Sequence, residues 1–146
     1  MKFEIRILEE KDYDEILVKW WEDWGWPAPP RDFLPENGTG GLIVYDGDTP
    51  VCAGYLYSTN SKVAWVDWII SSKTYNKKPN RKEAISFLIE ELTSICENKL
   101  QAKFVYALIK HNGLIETYKK LGYTEGDSYT KEMIKIYIRK TRHIKA

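Results

Sequence analysis

The sequence predicts one α/β domain in which apolar strands alternate with amphipathic helices. Three observations carry that prediction. Segments 41–45, 51–58 and 62–72 read as three consecutive antiparallel strands, with an Asp46-Gly47 hairpin signal between the first two. Residues 80–99 hold a long apolar stripe at helical period. Residues 103–123 pass from an apolar strand into a short capped helix and on into a new strand. At 146 residues the chain has room for one domain, 1–146, burying roughly two-thirds of its unfolded surface.

Taken in order, Phe3, Ile5 and Ile7 alternate with Glu4 and Arg6, which makes 2–8 a strand with one better-buried face. A helix with acidic residues in its first turn begins at Lys11-Asp12-Tyr13-Asp14. Ile16, Leu17, Trp20, Trp21 and Trp24 form its stripe, and Gly25 or Pro27 should stop it. Residues 25–40 carry four prolines and three glycines, so they read as an irregular loop with one short helical turn near Arg31–Leu34. That loop is expected to pack Trp26 and Phe33 on the core, to wall an acceptor pocket, or both.

The three antiparallel strands follow, the last reading Val-Ala-Trp-Val-Asp-Trp-Ile-Ile-Ser-Ser after a turn at Thr59-Asn60-Ser61. Residues 73–82 hold five positive charges and no negative one. In the helix beyond, Ile85, Leu88, Ile89, Leu92, Ile95 and Cys96 are the stripe, and Asn80 with Glu83 resembles a capping box. After the 103–110 strand, Leu114, Ile115, Tyr118 and Leu121 share one face of a short helix. Asn112 suits its N-cap, Lys119 and Lys120 its negative end, and Gly122 the left-handed position that ends it. Segments 123–125 and 132–139 read as closing strands, and the basic tail as frayed. A strand running into a helix N-terminus is where α/β sheets bind ligands.

Asn112, Tyr118 and Leu121-Gly122-Tyr123 resemble the "N…A…Y…LGF" segment of the GNAT superfamily of acyl-CoA-dependent N-acyltransferases, with Tyr for the usual Phe. The element order β-α-loop-β-β-β-α-β-α-β-β is similar to that family's along its whole length. The resemblance implies a mixed, mostly antiparallel central sheet with helices on both faces and two central strands that splay apart. It implies acetyl-CoA as co-substrate and transfer of acetyl to a primary amine by direct attack. The pantetheine arm would lie along backbone groups of 69–72, including Ile70, Ser71 and Ser72, and of 106–109, with Asn112 nearby. Lys77, Asn80 and Lys82 stand where the family's pyrophosphate turn has Arg or Gln, Gly, and Gly or Ala, so both glycines are missing. Lys78 and Arg81 add charge, and a helix N-terminus there would aim N–H groups and its positive dipole end at an anion.

The resemblance also places Tyr118 as the acid that protonates the departing thiolate. An apolar residue would fill the helix stripe as well as Tyr118 does, so the hydroxyl points to chemistry; the bland alternative is core packing. Asp67, between Trp65 and Trp68, is the candidate base, since a carboxylate among such neighbours has a raised pKa. Its alternative is an exposed strand position. Glu22 is a weaker base candidate, and His111 reads as an ordinary strand-end residue.

Composition narrows the partners. A net charge of +1 argues against a protein built to bind nucleic acid. No apolar run reaches about 18 residues, so no membrane helix is expected. Cys52 and Cys96 lack metal-ligand spacing and read as buried free thiols, with no metal expected and a reduced, cytoplasmic compartment. Six Trp and ten Tyr exceed the needs of so small a core, so some should line a groove or an interface. A small-molecule or peptide amine acceptor against Trp20, Trp24 and Trp26 is the expectation, and a homodimer is admitted. A catalytically inactive domain of this fold that binds a ligand or protein is the principal alternative. A small nucleic-acid binder using 73–82 and the basic tail is another.

Overall fold

The computed structural model describes residues 3–75 and 79–137. Strand β1 (Phe3–Ile7) leads into α1 (Glu10–Asp12), a π-helical turn (Tyr13–Leu17) and α2 (Val18–Trp24). After two 3₁₀ turns, Arg31–Phe33 and Pro35–Gly38, come β2 (Gly41–Asp46), β3 (Thr49–Ser58) and β4 (Val63–Ser71). Helix α3 (Asn80–Asn98), β5 (Phe104–Tyr106) and α4 (Asn112–Lys120) complete the order.

The sheet has five strands in the order β1-β2-β3-β4-β5, antiparallel except for the parallel β4–β5 pair. Gly47, at φ +61°, supplies the turn between β2 and β3 that its sequence announces. Side chains alternate between the two faces of the sheet. Leu42, Val44, Cys52, Ala64 and Val66 pack with Ala84, Leu88, Ile89, Leu92 and Cys96 of α3 and with Tyr118 of α4. Ile43, Ala53, Tyr55 and Ile70 pack on the other face with Leu17, Trp20, Trp21 and Leu34. The architecture is therefore a mixed, mostly antiparallel sheet covered by helices on both faces.

The expected helices are present, with corrections at their starts. Pro79, not Asn80, caps α3, and Glu83 N–H bonds the Pro79 carbonyl, so no Asn80–Glu83 capping box forms. His111, not Asn112, takes the N-cap place of α4, without a side-chain bond. Gly25 at φ +78° and Gly122 at φ +100° end their helices in the left-handed conformation. In the 25–40 loop it is Leu34 that enters the core, while Trp26 and Phe33 stay exposed.

The larger differences lie at the C-terminal edge of the sheet. The 103–110 strand is reduced to three residues, and 123–137 forms no strand; 138 and 139 lie outside the described residues. Val105, Ala107 and Ile109 pack against the α3-side core while Tyr106 and Leu108 stay exposed. The alternation is thus real, but strand pairing stops with Trp65 opposite Tyr106. Both cysteines are free and buried. Burial pushes the Cys52 thiol up and raises Cys96 to about 11. Among the described residues no helix is long and apolar enough to cross a membrane.

Candidate active site

Beyond Trp65 and Tyr106, β4 continues to Ser71 while its pairing with β5 ends. The strands thus part at the edge of the sheet and not between two central strands, since no closing strand forms outside β5 among the described residues. Side chains take two backbone groups at this parting. The Asp67 carboxylate accepts the Leu108 N–H, 3.1 Å from each oxygen. The Tyr118 hydroxyl donates to the Val66 carbonyl at 2.8 Å. Tyr118 reaches β4 from the α3 face and bonds the residue before Asp67, while Asp67 reaches from β4 to the chain beyond β5.

Their protonation follows from burial. Withdrawal from water lifts Asp67 to about 7; the Leu108 N–H works against that rise and the nearby charge of Glu132 adds to it. Burial likewise pushes Tyr118 well above the ordinary phenol range, and the negative charge of Asp67 pushes in the same direction. Near neutral pH the site thus holds a carboxylate that can take a proton beside a phenol that retains one.

The sheet is irregular at this point. Ala53 pairs with Ile70 and Tyr55 with Asp67, so Gly54 faces two residues, Trp68 and Ile69. Trp68 adopts φ +59°, a conformation few residues with a side chain accept, as β-bulges next to functional sites do. A Cβ on Gly54 would approach Ile69 Cδ1 to 2.5 Å, so any larger residue across from the bulge would have to push the tip of Ile69 aside. The bulge swings Trp68 onto the face of Asp67, edge-on to Phe33 with ring centroids 5.5 Å apart. Sequence reasoning did not foresee Trp68 in this role. The available signal was Gly54, an isolated glycine inside a strand.

The remaining site residues fall into two groups. Ile70 is core, and Ser72 N–H is taken by Val51 in the sheet. The Ser71 carbonyl accepts the Trp24 indole N–H at 2.8 Å. Trp24 stacks on Trp26 at 5.5 Å, and Trp26 meets His111 at 5.2 Å, so aromatic rings bridge from the end of β4 to the start of α4. Trp20 lies apart from this bridge, buried at 6 % exposure. Glu22 is exposed on α2, and Asn112 is exposed in the first turn of α4.

At the anion end, Arg81 donates to the carbonyls of Tyr75 and Lys73, folding residues 73–75 back onto the α3 N-terminus. Lys73 Nζ and the Arg81 guanidinium sit over the Trp24 ring at 5.5 and 5.8 Å. Asn80 and Lys82 occupy the first turn of α3. Lys77 and Lys78 lie outside the described residues. Cations and a long helix's N-terminus thus adjoin the open side of β4, an arrangement that suits a phosphate-bearing ligand with an extended arm.

No family model matches the chain, and no curated protein matches it in sequence. Solved structures do match in fold. A glucosamine-6-phosphate N-acetyltransferase from Arabidopsis thaliana superposes with a TM-score of 0.64 at 10 % identity, covering 92 % of this chain and all of its own (100 %). A ribosomal-protein-alanine N-acetyltransferase from Brucella melitensis gives 0.63 at 15 % identity, with 93 % and 100 % covered. An aminoglycoside acetyltransferase from an uncultured soil metagenomic sample gives 0.63 at 12 %, with 92 % and 97 % covered. Identities this low carry the fold alone, and the fold is that of acetyltransferases, as the resemblance to the GNAT superfamily implied.

Proposed function

We propose that this chain, which has the acetyltransferase fold, moves acetyl from acetyl-CoA to a primary amine. The observation that carries the reading is the convergence of Asp67 and Tyr118 where β4 and β5 part. A carboxylate with a pKa of about 7 is matched to general-base work near neutral pH, and a phenol kept protonated has a proton to give.

In this reaction the amine lone pair forms a bond to the thioester carbonyl carbon and the carbon–sulfur bond breaks. Asp67 takes the proton that the amine loses, and Tyr118 gives its proton to the departing sulfur. Solvent then returns the proton from Asp67 to Tyr118, so the net change is acetyl to nitrogen and proton to sulfur. That donor role requires the Tyr118 hydroxyl to rotate away from the Val66 carbonyl. The open backbone of β4 would hold the pantetheine arm, with Trp24 yielding the Ser71 carbonyl. Lys73, Arg81, Lys82 and the first turn of α3 would hold the pyrophosphate, with Lys77, Lys78 and Asn80 in the same loop and turn.

Calorimetry with acetyl-CoA, followed by thiol release on adding primary amines, tests the proposal. Saturable binding with amine-dependent release of free thiol is the expected result. An absence of binding at millimolar acetyl-CoA would overturn it.

A further inference from the structure

On the face of the sheet where Asp67 lies, aromatic rings surround the carboxylate. Trp65 precedes it by two residues on the same face and meets Tyr106 of β5, ring centroids 5.0 Å apart. Tyr57 stands opposite Trp65 in the β3–β4 register, within reach of the Asp67 charge. The Tyr57 hydroxyl is spent on the Phe33 carbonyl at 2.9 Å, so that ring offers its face rather than its polar end. Trp68 and Phe33 close the other side. Two of these rings are open to a ligand as the structure stands, Phe33 at 46 % and Tyr106 at 53 % exposure.

The polar content of this wall is small. Among the described residues no lysine or arginine forms an ion pair with Asp67, and the other charge that acts on it is the carboxylate of Glu132. A sugar would need several hydrogen-bonding side chains that these rings do not supply. An acceptor with its own acidic group would meet two carboxylates and, among the described residues, no lysine or arginine paired with Asp67 to offset them. One ammonium and a flat apolar body match what is present, since ring faces and edges pair favourably with another ring.

We propose that the amine acceptor carries an uncharged aromatic body that lies among Phe33, Tyr57, Trp65, Trp68 and Tyr106 while its amino group meets Asp67. The inference rests on the reading of this site as an acyltransferase's. It deepens that reading by choosing arylalkyl amines over sugars and acidic acceptors.

The test compares 2-phenylethylamine with 2-cyclohexylethylamine, which has the same carbon skeleton but a puckered, saturated ring. Quenching of tryptophan fluorescence gives each Kd without any need for turnover. The aromatic amine should bind about fivefold to tenfold more tightly, the worth of one good ring pairing. Phe33→Leu and Tyr106→Leu, both at exposed positions, should each erase most of that preference without disturbing the core. Equal affinity for the two amines, or a preference that survives both variants, would overturn the inference. Thiol release from acetyl-CoA then separates the two claims. Preferential binding of the aromatic amine with no transfer to any amine leaves the aromatic site standing and removes the acyltransferase. Transfer to both amines with equal kcat/KM does the reverse.

Discussion

Replacing Tyr118 with Phe removes one hydroxyl and keeps the ring, and the structure assigns that hydroxyl two separable consequences. The first is structural. The residue is 2 % exposed, and its hydroxyl gives the Val66 carbonyl a hydrogen bond at 2.8 Å. Taking the donor away leaves a buried acceptor without it, which costs about 1–3 kcal/mol. For a domain of this size each kcal/mol moves the thermal midpoint by about 2–4 °C, so Tm should fall by roughly 2–12 °C. The edge-to-face packing on Tyr123, with centroids 4.9 Å apart, survives because the ring does. The second consequence is kinetic. A general acid is worth about 10²–10⁴ in rate, and a thiolate is already a fair leaving group, so kcat should fall by about 10². The Kd for acetyl-CoA, measured calorimetrically, should barely move. A variant with the lowered Tm and an unchanged kcat would refute the argument, because the hydroxyl would then serve Val66 and nothing else.

Asp67→Asn should lower kcat and flatten the limb of the pH profile that rises through about 7, while acetyl-CoA affinity holds. The same variant should gain stability relative to wild type as pH rises. Folding raises the Asp67 pKa, so its charge opposes folding progressively from about pH 4 and fully above about 7, and the two midpoints should converge below pH 4. Acetyl-CoA binding should weaken with salt, and Lys82→Glu should weaken it further; salt-independent binding would place the pyrophosphate elsewhere. Trp24→Phe removes the indole N–H from the Ser71 carbonyl, and if that bond shields the arm's path, acetyl-CoA should bind the variant at least as tightly as wild type, a point calorimetry settles. Gly41→Ala should cost more than about 3 kcal/mol in denaturant unfolding, because its new Cβ would run into the Gly54 carbonyl, which the sheet holds in place.

Much of this molecule is legible from periodicity. Ile85, Leu88, Ile89, Leu92, Ile95 and Cys96 declare the buried face of α3, and Asp46-Gly47 declares the β2–β3 turn. Local pattern failed where an element depends on a distant partner. Residues 103–110 have a strand's alternation, yet only three of them pair, because strand character needs a neighbouring edge as well as a sequence. Asn112 and Asn80 are good caps by type, but capping belongs to whichever residue the preceding chain leaves at the helix start, and His111 and Pro79 hold those places. Asp67 and Tyr118 were legible as candidates by resemblance and residue type. Of the rings around Asp67, Trp65 and Trp68 were legible as its sequence neighbours, whereas Phe33, Tyr57 and Tyr106 were not, since they come from a loop and two other strands. The bulge that sets the aim of Trp68 was not legible either.

The π-helical turn before α2 has a bearing on how such a wall changes between related chains. Val18 N–H reaches the Tyr13 carbonyl, five residues back, so this turn holds one residue more than a regular α-helical turn. The extra residue is taken up inside the turn, so the helix beyond keeps its phase. Losing one residue between 13 and 16 would leave a regular turn, with Trp20 and Trp21 still on the sheet and Trp24 still at the Ser71 carbonyl. Successive α-helical residues are about 100° apart around the axis, so the same loss from the regular turns of α2 would rotate every tryptophan beyond it by about that angle. This turn is therefore the place in the first helical segment where chain length can change while the tryptophans hold their aim.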